Sequence, residues 1–255
     1  MIVTYIGHSG FLAELPHCLL LFDVLASGQE PPAARYDIGR LPELPEEKEL
    51  LVFVSHAHRD HYSHAIWQLK DLHPRVTYIL PTCVPFTAGV RARLGLSEED
   101  CRHVLRVRPE QQYAVPVPGA EPVRIETLRS TDAGVAFWVE AEGQTLFHAG
   151  DLHLWLWEEE GPAYMEKMQA DFDRFTAPLT GRHADAAFLP LDARLEEHTF
   201  DGMDAYLNRM RVSHCFPMHL WKNYDLIPQY LAARAGQHPE TLIHRITACG
   251  QVFSL

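Results

Sequence analysis

The stretch that decides the fold reads Val54-Ser55-His56-Ala57-His58-Arg59-Asp60-His61 and follows directly on an apolar run at residues 50–54. It carries three imidazoles and one carboxylate within six positions. Buried polar groups cost free energy unless they are satisfied, so folding alone gives no reason for this crowding. Imidazole binds zinc, iron and manganese, and a carboxylate adds negative charge and can bridge two ions. The stretch therefore predicts a metal site at the end of a strand.

Length, composition and charge limit the class of protein. The chain has 255 residues, of which 47% are hydrophobic, so it is long enough to bury a substantial core. We find no internal repeat and no low-complexity linker, and we predict a single domain over residues 1–255. The formal net charge of −12 argues against a surface that binds nucleic acid. We therefore expect a small-molecule substrate and no nucleic-acid partner.

Cysteine usage and hydropathy indicate the compartment. The five cysteines include no CxxC pair and are widely scattered, which is against a disulfide framework. The first residues carry no signal-peptide pattern, and no apolar run approaches the roughly 20 residues that a membrane helix needs. We expect a cytoplasmic protein without a membrane partner, and a homo-oligomer is compatible with the sequence.

The order of apolar runs and turn residues predicts an α/β fold. Apolar runs at 2–6, 11–15 and 18–22, separated by Gly-His-Ser-Gly and Pro-His turns, indicate an antiparallel meander. Residues 27–49 are rich in Pro, Gly and charge and predict a loop. Strand and helix then alternate in both halves, so we expect two sheets flanked by helices. The further predicted strands lie at 50–54, 76–80, 104–107, 113–117, 123–128, 135–140, 145–147, 186–189, 214–217 and 244–253, and the helices near 63–71, 85–94, 162–175, 203–211 and 226–235.

Two later segments repeat the pattern of an apolar strand that ends in a residue able to bind metal. The strand at 145–147 is followed by Gly150-Asp151, and the strand at 214–217 is followed by His219. Strand ends and the loops after them are where α/β architectures gather functional side chains. A lone His or Asp after a strand is more often a cap or a turn residue. Together with the turn at 56–61, however, these segments predict one shared site.

These residues resemble the metallo-β-lactamase-fold hydrolase superfamily over most of the chain. The resemblance rests on Asp23, on the HxHxDH pattern at 56–61, on Gly150-Asp151 and on His219. The branch is most similar to the bacterial metal-dependent hydrolases related to ascorbate-6-phosphate lactonase, because of Gly7-His8-Ser9-Gly10-Phe11 and the phrase ending in Gly150-Asp151.

The resemblance implies an α/β fold of the four-layer αββα sandwich type, with two metal ions at one edge. It implies that one ion is bound by His56 and His58. It assigns Asp60, His61 and His219 to the other ion. Asp151 would bridge both ions. Asp23 would stabilise the histidine turn from behind, a type of contact that affects metal affinity strongly.

One ligand that this superfamily usually supplies is missing. A third histidine for the first metal is expected shortly before the Gly-Asp motif, and Arg129 or its neighbours stand there. Asp132 is the obvious substitute, and Ser130 and Thr131 are weaker ones. The outcome is an Asp-completed site, a weakened first metal or a mononuclear enzyme. A carboxylate would favour manganese or iron over zinc. The alternative is that Asp132 is a turn residue before Gly134.

The remaining candidates each have two interpretations. His8 and His153 would line the pocket as proton donors or substrate contacts, or else be turn residues. His148 is expected to be a packed histidine behind the site. Three aromatic residues would form the wall of a cleft, or else pack in the core or at a dimer interface: Trp155, Trp157 and Trp221. Three positively charged side chains would bind an anionic substrate group, or else lie on the surface: Arg129, Arg194 and Lys222.

The expected chemistry is hydrolysis of a small ester, lactone or phosphoester by a metal-activated water. A bound divalent ion lowers the pKa of water from 15.7 to about 7. Asp60 would orient the water or take its proton, and His153 would protonate the leaving group. We expect two divalent ions per chain, zinc first, with manganese or iron as alternatives. Two other functions fit the sequence: a non-catalytic metal-binding or sensing domain, and a phosphodiesterase or nuclease of the same superfamily.

Overall fold

The computed structural model describes residues 1–25 and 35–255. Part of the predicted loop at 27–49 therefore lies outside the described residues. Within them no helix has the length and apolar character needed to span a bilayer. The strands are β1 (Ile2–Gly7), β2 (Gly10–Glu14), β3 (Cys18–Phe22), β4 (Glu49–Phe53), β5 (Val76–Pro81), β6 (Val104–Val107), β7 (Gln112–Val115), β8 (Val123–Arg129), β9 (Val135–Ala141), β10 (Gln144–His148), β11 (His183–Pro190), β12 (Arg211–Met218), β13 (Leu242–Ile243) and β14 (Val252–Ser254).

Six α-helices lie between these strands in the described chain, together with short 3₁₀ segments. The α-helices are α1 (Leu69–Leu72), α2 (Ala88–Arg93), α3 (Glu98–Arg102), α4 (Pro162–Thr176), α5 (Asp201–Arg209) and α6 (Leu226–Ala233). The 3₁₀ segments are His64–Gln68, Glu158–Glu160, Ala177–Leu179 and Ala193–His198. The predicted helix at 162–175 is confirmed, with Pro162 at its start, where the missing N–H of proline costs nothing.

The strands form two sheets of seven. The first has the order β14-β1-β2-β3-β4-β5-β6 and the second the order β13-β12-β11-β10-β9-β8-β7. In the first sheet β1 to β3 are antiparallel, which confirms the predicted meander, and β3 to β6 are parallel. In the second sheet β10, β11 and β12 run parallel. Parallel neighbours end at the same edge of a sheet, so the loops after β3 and β4, and those after β10 to β12, are brought together.

Alternation of apolar side chains explains why the first sheet is covered on both faces. On β3, Leu20 and Phe22 enter the core between the sheets. Leu19 and Leu21 point the other way, into a second core shared with Ile66 and the rest of the helical segment after β4. Side chains one position apart on a strand face opposite sides, so an all-apolar strand predicts burial on both sides.

The second sheet is also covered on both faces. Phe188 of β11 lies against Phe11 and Phe22 of the first sheet, with ring centroids 4.5 and 5.8 Å apart. Phe147 of β10 packs on the opposite side against Tyr206 of α5, at 5.5 Å. Helices therefore cover the outer faces and the two sheets cover each other. The predicted four-layer αββα sandwich is confirmed.

The predicted strand at 244–253 is wrong. The structure has two short strands instead, and they belong to different sheets: β13 pairs with β12 and β14 pairs with β1. Between them the chain turns, and Gly250 adopts a φ of +81°, a conformation that glycine reaches without a steric penalty. Of the apolar residues in this segment only Ile246 is buried, and Val252 is exposed. A single strand cannot pair with both sheets.

Candidate metal centre

The site is assembled at the edge where the parallel strands of both sheets end. Asp23 follows β3 and the histidine turn, residues 56–61, follows β4. Asp151, Asp192 and His219 follow β10, β11 and β12. The histidine turn begins three positions after Phe53, and each of the other residues lies within three positions of its strand end, as Asp23 follows Phe22 directly and Asp151 comes three after His148. The backbone of each strand therefore fixes where its functional side chain starts.

The histidine turn is held from behind by a buried carboxylate. Oδ1 of Asp23 accepts a hydrogen bond from the Ser55 amide at 2.7 Å. Oδ2 accepts one from Ser55 Oγ at 2.6 Å and one from His61 Nδ1 at 2.8 Å. Ser55 Oγ lies 2.9 Å from His56 Nδ1, whose N–H it can accept. The Nε2 atoms of His56 and His61 therefore face the site. Asp23 stabilises the histidine turn from behind, as predicted.

The first cluster comprises His56, His58, Asp132 and Asp151. One ligand atom from each lies within 4.8 Å of the others. His56 Nε2 and His58 Nδ1 are 2.9 Å apart, and Asp132 Oδ2 is 3.3 Å from His58 Nδ1. The structure thus brings the carboxylate of Asp132 to the place where a third histidine was expected. That Asp132 binds metal stays a prediction. His58 and Asp132 are both half exposed, so this cluster opens towards solvent.

The second cluster comprises His8, Asp60, His61 and His219. Their ligand atoms also lie within 4.8 Å of one another. Oδ2 of Asp60 is 3.3 Å from His8 Nε2, 3.6 Å from His219 Nε2 and 3.8 Å from His61 Nε2. Except for Asp60, which is partly exposed, all members are buried. The sequence singled out His8 only as a pocket or turn residue, and the structure places it among the candidate ligands.

Asp151 joins the two clusters through its two carboxylate oxygens. Oδ1 lies 3.0 Å from His61 Nε2 and 3.6 Å from His219 Nε2, on the side of the second cluster. Oδ2 lies 3.3 Å from His56 Nε2, on the side of the first cluster. One oxygen therefore faces each set of imidazoles, which is the arrangement that a bridging carboxylate needs.

The buried polar atoms at this point fit divalent cations. Both ring nitrogens of His8, Nε2 of His61, Nε2 of His219 and Oδ1 of Asp151 have no hydrogen-bond partner among the described residues. Each unpaired buried group of this kind costs roughly 1–3 kcal/mol. Imidazole and carboxylate are ligands of zinc, manganese and iron. Cations held between these atoms would satisfy the three Nε2 atoms and Oδ1 of Asp151, and would leave only Nδ1 of His8 unpaired.

The electrostatics of the second cluster also suit a cation. Burial alone would lower the pKa of His61, but Asp151 and Asp23 outweigh it and raise that pKa well above the usual value. The pKa of His219 rises to about 9 in spite of burial, because Asp151, Asp192 and Asp60 surround it. Protons on these rings balance the carboxylates, and a metal ion can replace those protons on binding.

Asp192 is a site residue that the sequence analysis missed. It is fully buried, and its Oδ2 accepts hydrogen bonds from His219 Nδ1 at 2.8 Å and from Trp221 Nε1 at 3.0 Å. The same oxygen accepts a bond from Arg194 Nη2 at 2.5 Å. The bond to His219 fixes the ring so that Nε2 points into the second cluster, the usual function of a carboxylate behind a ligating histidine. The signal was present, since Asp192 follows a buried strand just as Asp151 does.

His148 is a packed histidine, as predicted. Its ring stacks on Phe22 at 5.0 Å and its Nε2 lies 2.9 Å from the carbonyl oxygen of Ser9. Both contacts hold it between the two sheets, behind the metal site.

The structure does not bring His153 to the cleft. Its ring is fully buried, against the edge of Trp155 at 4.8 Å and the backbone of Gly202 in α5. Burial lowers the pKa of His153 to about 4. The predicted proton donor therefore lies outside both clusters, and among the described residues its ring nitrogens have no hydrogen-bond partner.

A cleft of about 410 Å³ opens over both clusters. Trp155, Trp157 and Trp221 line it, which confirms that these residues wall the cleft, and Trp155 stacks on Trp157 with ring centroids 5.8 Å apart. Arg194 is the predicted cation that reaches the cleft. Arg129 lies elsewhere, in an ion pair with Glu110.

Solved structures share this fold across nearly the whole chain. The metallo hydrolase Igni18 from Ignicoccus hospitalis has a TM-score of 0.56 and 15% identity, covering 100% of this chain and 98% of its own. The metallo-beta-lactamase fold protein YhfI from Bacillus subtilis has a TM-score of 0.52 and 16% identity, covering 99% of both chains. CmlA, a diiron beta-hydroxylase from Streptomyces venezuelae, has a TM-score of 0.56 and 13% identity, and this chain spans 54% of its length.

These likenesses establish the fold, and a sequence relative establishes the family. No family-level sequence profile matches the chain. The sandwich is the fold of the metallo-beta-lactamase fold protein YhfI and of the other solved structures named above. A "UPF0173 metal-dependent hydrolase" from Opitutus terrae is 30% identical over 244 residues, which cover 94% of this chain and 95% of that protein. The chain belongs to this UPF0173 family.

Proposed function

We propose that the protein hydrolyses a small ester, lactone or phosphoester at two divalent ions held side by side. The observation that carries the proposal is Asp151, whose two oxygens face the two clusters at 3.0 Å from His61 and 3.3 Å from His56. Two ligand sets that share one carboxylate are typical of a dinuclear site, and these residues would hold two ions.

The two ligand sets differ in chemistry, and we propose different ion preferences. The second cluster offers three imidazoles and Asp60, a set suited to zinc. The first cluster offers two imidazoles with Asp132 and Asp151, and its larger share of carboxylate favours manganese or iron. When bound, such ions supply an activated water near neutral pH and polarise the oxygen of the scissile bond.

Asp60 is the residue we propose to handle the attacking water. The ion pairs of Asp60 with ring nitrogens run through Oδ2. We propose that Oδ1 orients a water molecule or accepts its proton. Asp60 also lines the cleft, so this oxygen can be reached by substrate. Addition of water to an ester carbonyl and loss of the alcohol then yield a carboxylic acid. Since His153 does not reach the cleft, we propose that solvent water in the open cleft protonates the leaving group.

Charge and cleft size support a small substrate over a polymer. The chain has a net charge of −12, and non-specific nucleic-acid binding depends on many lysine and arginine contacts to phosphates. The cleft volume of about 410 Å³ lies within the range of small-molecule sites. We therefore propose a small molecule as the partner and no nucleic acid.

The test combines metal analysis with a substrate panel. Protein purified without added metal is analysed for zinc, manganese and iron, and is then assayed with esters, lactones and phosphodiesters. We expect two ions per chain and turnover of at least one class. An Asp151→Asn protein should lose both an ion and the activity. One tightly bound ion with no turnover across the panel would contradict the proposal and favour a metal-sensing role.

A further inference from the structure

Arg194 lies in the wall of the cleft and is held there by a buried carboxylate. Its Nε donates to both oxygens of Asp192 at 3.0 Å, and its Nη2 donates to Oδ2 at 2.5 Å. These bonds occupy one edge of the guanidinium. The other edge, formed by Nη1 and the second N–H of Nη2, makes no bond to any described residue. Two parallel donors therefore remain free on a group that is already fixed.

Two indole rings also contact the guanidinium of Arg194. Its central carbon lies 4.4 Å from the ring centroid of Trp221 and 5.5 Å from that of Trp157. Cation–π contacts of this kind restrict the orientation of an arginine. The side chain is nevertheless 47% exposed, and the residue lines the cleft. The free edge can therefore meet a ligand without further ordering of the side chain, which reduces the entropic cost of binding.

Arg194 is also close to the candidate metal centre. The oxygen of Asp192 that binds Arg194 Nη2 is the one that binds His219 Nδ1, at 2.8 Å. One carboxylate thus separates the guanidinium from a candidate ligand. The other cations are less suited, because Lys222 lies 3.8 Å from Asp37 and Arg129 pairs with Glu110.

We propose that Arg194 binds an anionic group of the substrate, a carboxylate or a phosphate, and so selects small esters and lactones that carry an oxyanion. The proposal rests on the proposed hydrolase function of the same site. A planar guanidinium with two parallel free N–H groups matches the two oxygens of either anion. The indole rings of Trp157 and Trp221 lie beside the guanidinium and line the cleft, so an apolar chain between the oxyanion and the scissile bond has a surface to pack against.

The kinetic test uses matched substrates with the metal-loaded protein. The para-nitrophenyl esters of adipate, 5-phosphonopentanoate and hexanoate share four methylene groups and differ at the far end, which is a carboxylate, a phosphonate or a methyl group. We expect kcat/KM for the two anionic esters to exceed that for the neutral one about 10- to 100-fold, the effect of charged hydrogen bonds. In Arg194→Gln this ratio should fall to about one. In Arg194→Lys, which keeps the charge but not the paired donors, it should fall only in part. The ratio between carboxylate and phosphonate identifies the preferred anion.

Controls separate recognition from damage to the site. Arg102→Gln removes an equally charged but exposed arginine, paired with Glu99 on α3, and should keep the wild-type ratio. The metal content of each variant must match the wild type, because Asp192 contacts both Arg194 and His219.

A binding measurement keeps the inference independent of turnover. Calorimetric titration of the metal-loaded protein with succinate and with methylphosphonate should give affinities at least about tenfold weaker in Arg194→Gln. Equal rates on charged and neutral esters in the wild type, with anion affinity unchanged in Arg194→Gln, would overturn the inference and leave the hydrolase function standing. Weaker anion binding in Arg194→Gln without hydrolysis of any ester would overturn the proposed function and support the anion site.

Discussion

His8 is held in a conformation that its residue type rarely adopts. Its φ is +48°, in the turn between β1 and β2, where a left-handed backbone costs an L-residue roughly 1–2 kcal/mol. The turn is fixed by the His219 amide, which donates to the His8 carbonyl at 3.2 Å. The ring is buried with both nitrogens unpartnered. A cation in the second cluster accounts for a strained, buried and unpaired imidazole at this place.

We expect His8→Gln to weaken the second metal ion. Removal of one candidate ligand from a set of four that shares Asp151 should lower the affinity for that ion at least about tenfold, as loss of supporting contacts alone already does. The measurement is a calorimetric titration of the chelator-treated protein with zinc. His238→Gln is a matched control, because His238 has a φ of +49° but belongs to none of the candidate metal groups of the described residues. Unchanged zinc affinity in His8→Gln would remove His8 from the ligand set.

Asp132 decides whether the first cluster is complete. We expect Asp132→Ala to reduce the bound ions from two per chain to one, since only His56, His58 and the shared Asp151 remain. Asp132→His should keep two ions but shift the preference towards zinc, because imidazole replaces a hard oxygen ligand. Elemental analysis after loading with equal zinc and manganese measures both effects. Two ions in Asp132→Ala would mean that Asp132 is only a turn residue.

At the scale of elements, two loops approach the histidine turn so closely that only glycine fits. A Cβ on Gly134 would lie 2.0 Å from the carbonyl oxygen of Ser55, and one on Gly150 would lie 2.6 Å from the Ser55 Cβ. Both glycines also have positive φ, +70° and +51°. Next to Gly134, the Val135 amide donates to the Ser55 carbonyl at 3.0 Å. The loops that carry Asp132 and Asp151 are thereby held against the strand end of the other sheet.

We expect Gly134→Ala to destabilise the protein more than Gly143→Ala. The φ angles of Gly134 and Gly143 are +70° and +77°, so both substitutions incur about 1 kcal/mol of backbone strain. Only Gly134 is in close contact, since nothing lies within 4 Å of a Cβ on Gly143. The clash should add about 1–3 kcal/mol, the usual cost of overpacking. Urea denaturation of both variants measures the difference, and equal losses would show that the approach at Gly134 is not tight.

The sequence predicts the site residues that are neighbours in the chain better than those that meet through the fold. The histidine turn was predicted in full because its six positions carry the pattern themselves. Asp192 was missed because an aspartate before a helical turn is an ordinary cap, and it does accept a bond from the Arg194 amide. Its second contact, with His219, depends on the pairing of β11 with β12.

The sequence also does not separate His8, which the fold brings into the site, from His153, which the fold buries away from it. Each is a histidine beside a turn, and local sequence treats them alike. Burial of His8 beside Asp60 depends on how the β1–β2 turn meets the loop after β12. Burial of His153 against Gly202 depends on the position of α5. The segment at 244–253 was predicted as one strand because its apolar pattern does not say which sheet each half joins.

In the whole molecule, the candidate metal ligands form a network that spans both sheets. Asp23 and the histidine turn belong to the first sheet, whereas Asp151, Asp192 and His219 belong to the second. Ions held between them would bind the two halves of the sandwich together at one edge. An ion that binds only the folded state stabilises it by about 2.7 kcal/mol at a concentration 100 times its Kd. Metal and fold stability should therefore be coupled.

We expect removal of metal by a chelator to lower the Tm by roughly 5–10 °C for each ion, because about 1 kcal/mol corresponds to about 2–4 °C in a protein of this size class. The cause is that the buried atoms of His8, His61, His219 and Asp151 lose their partner and the carboxylates repel one another. Differential scanning calorimetry with and without chelator, followed by back-titration with zinc and with manganese, measures the shift. Asp151→Asn is the control, since a protein without the shared carboxylate should respond weakly to the chelator. Equal Tm values for chelator-treated and zinc-loaded wild type would show that metal binding does not stabilise the fold. The packing of the two sheets alone would then hold the ligands in place.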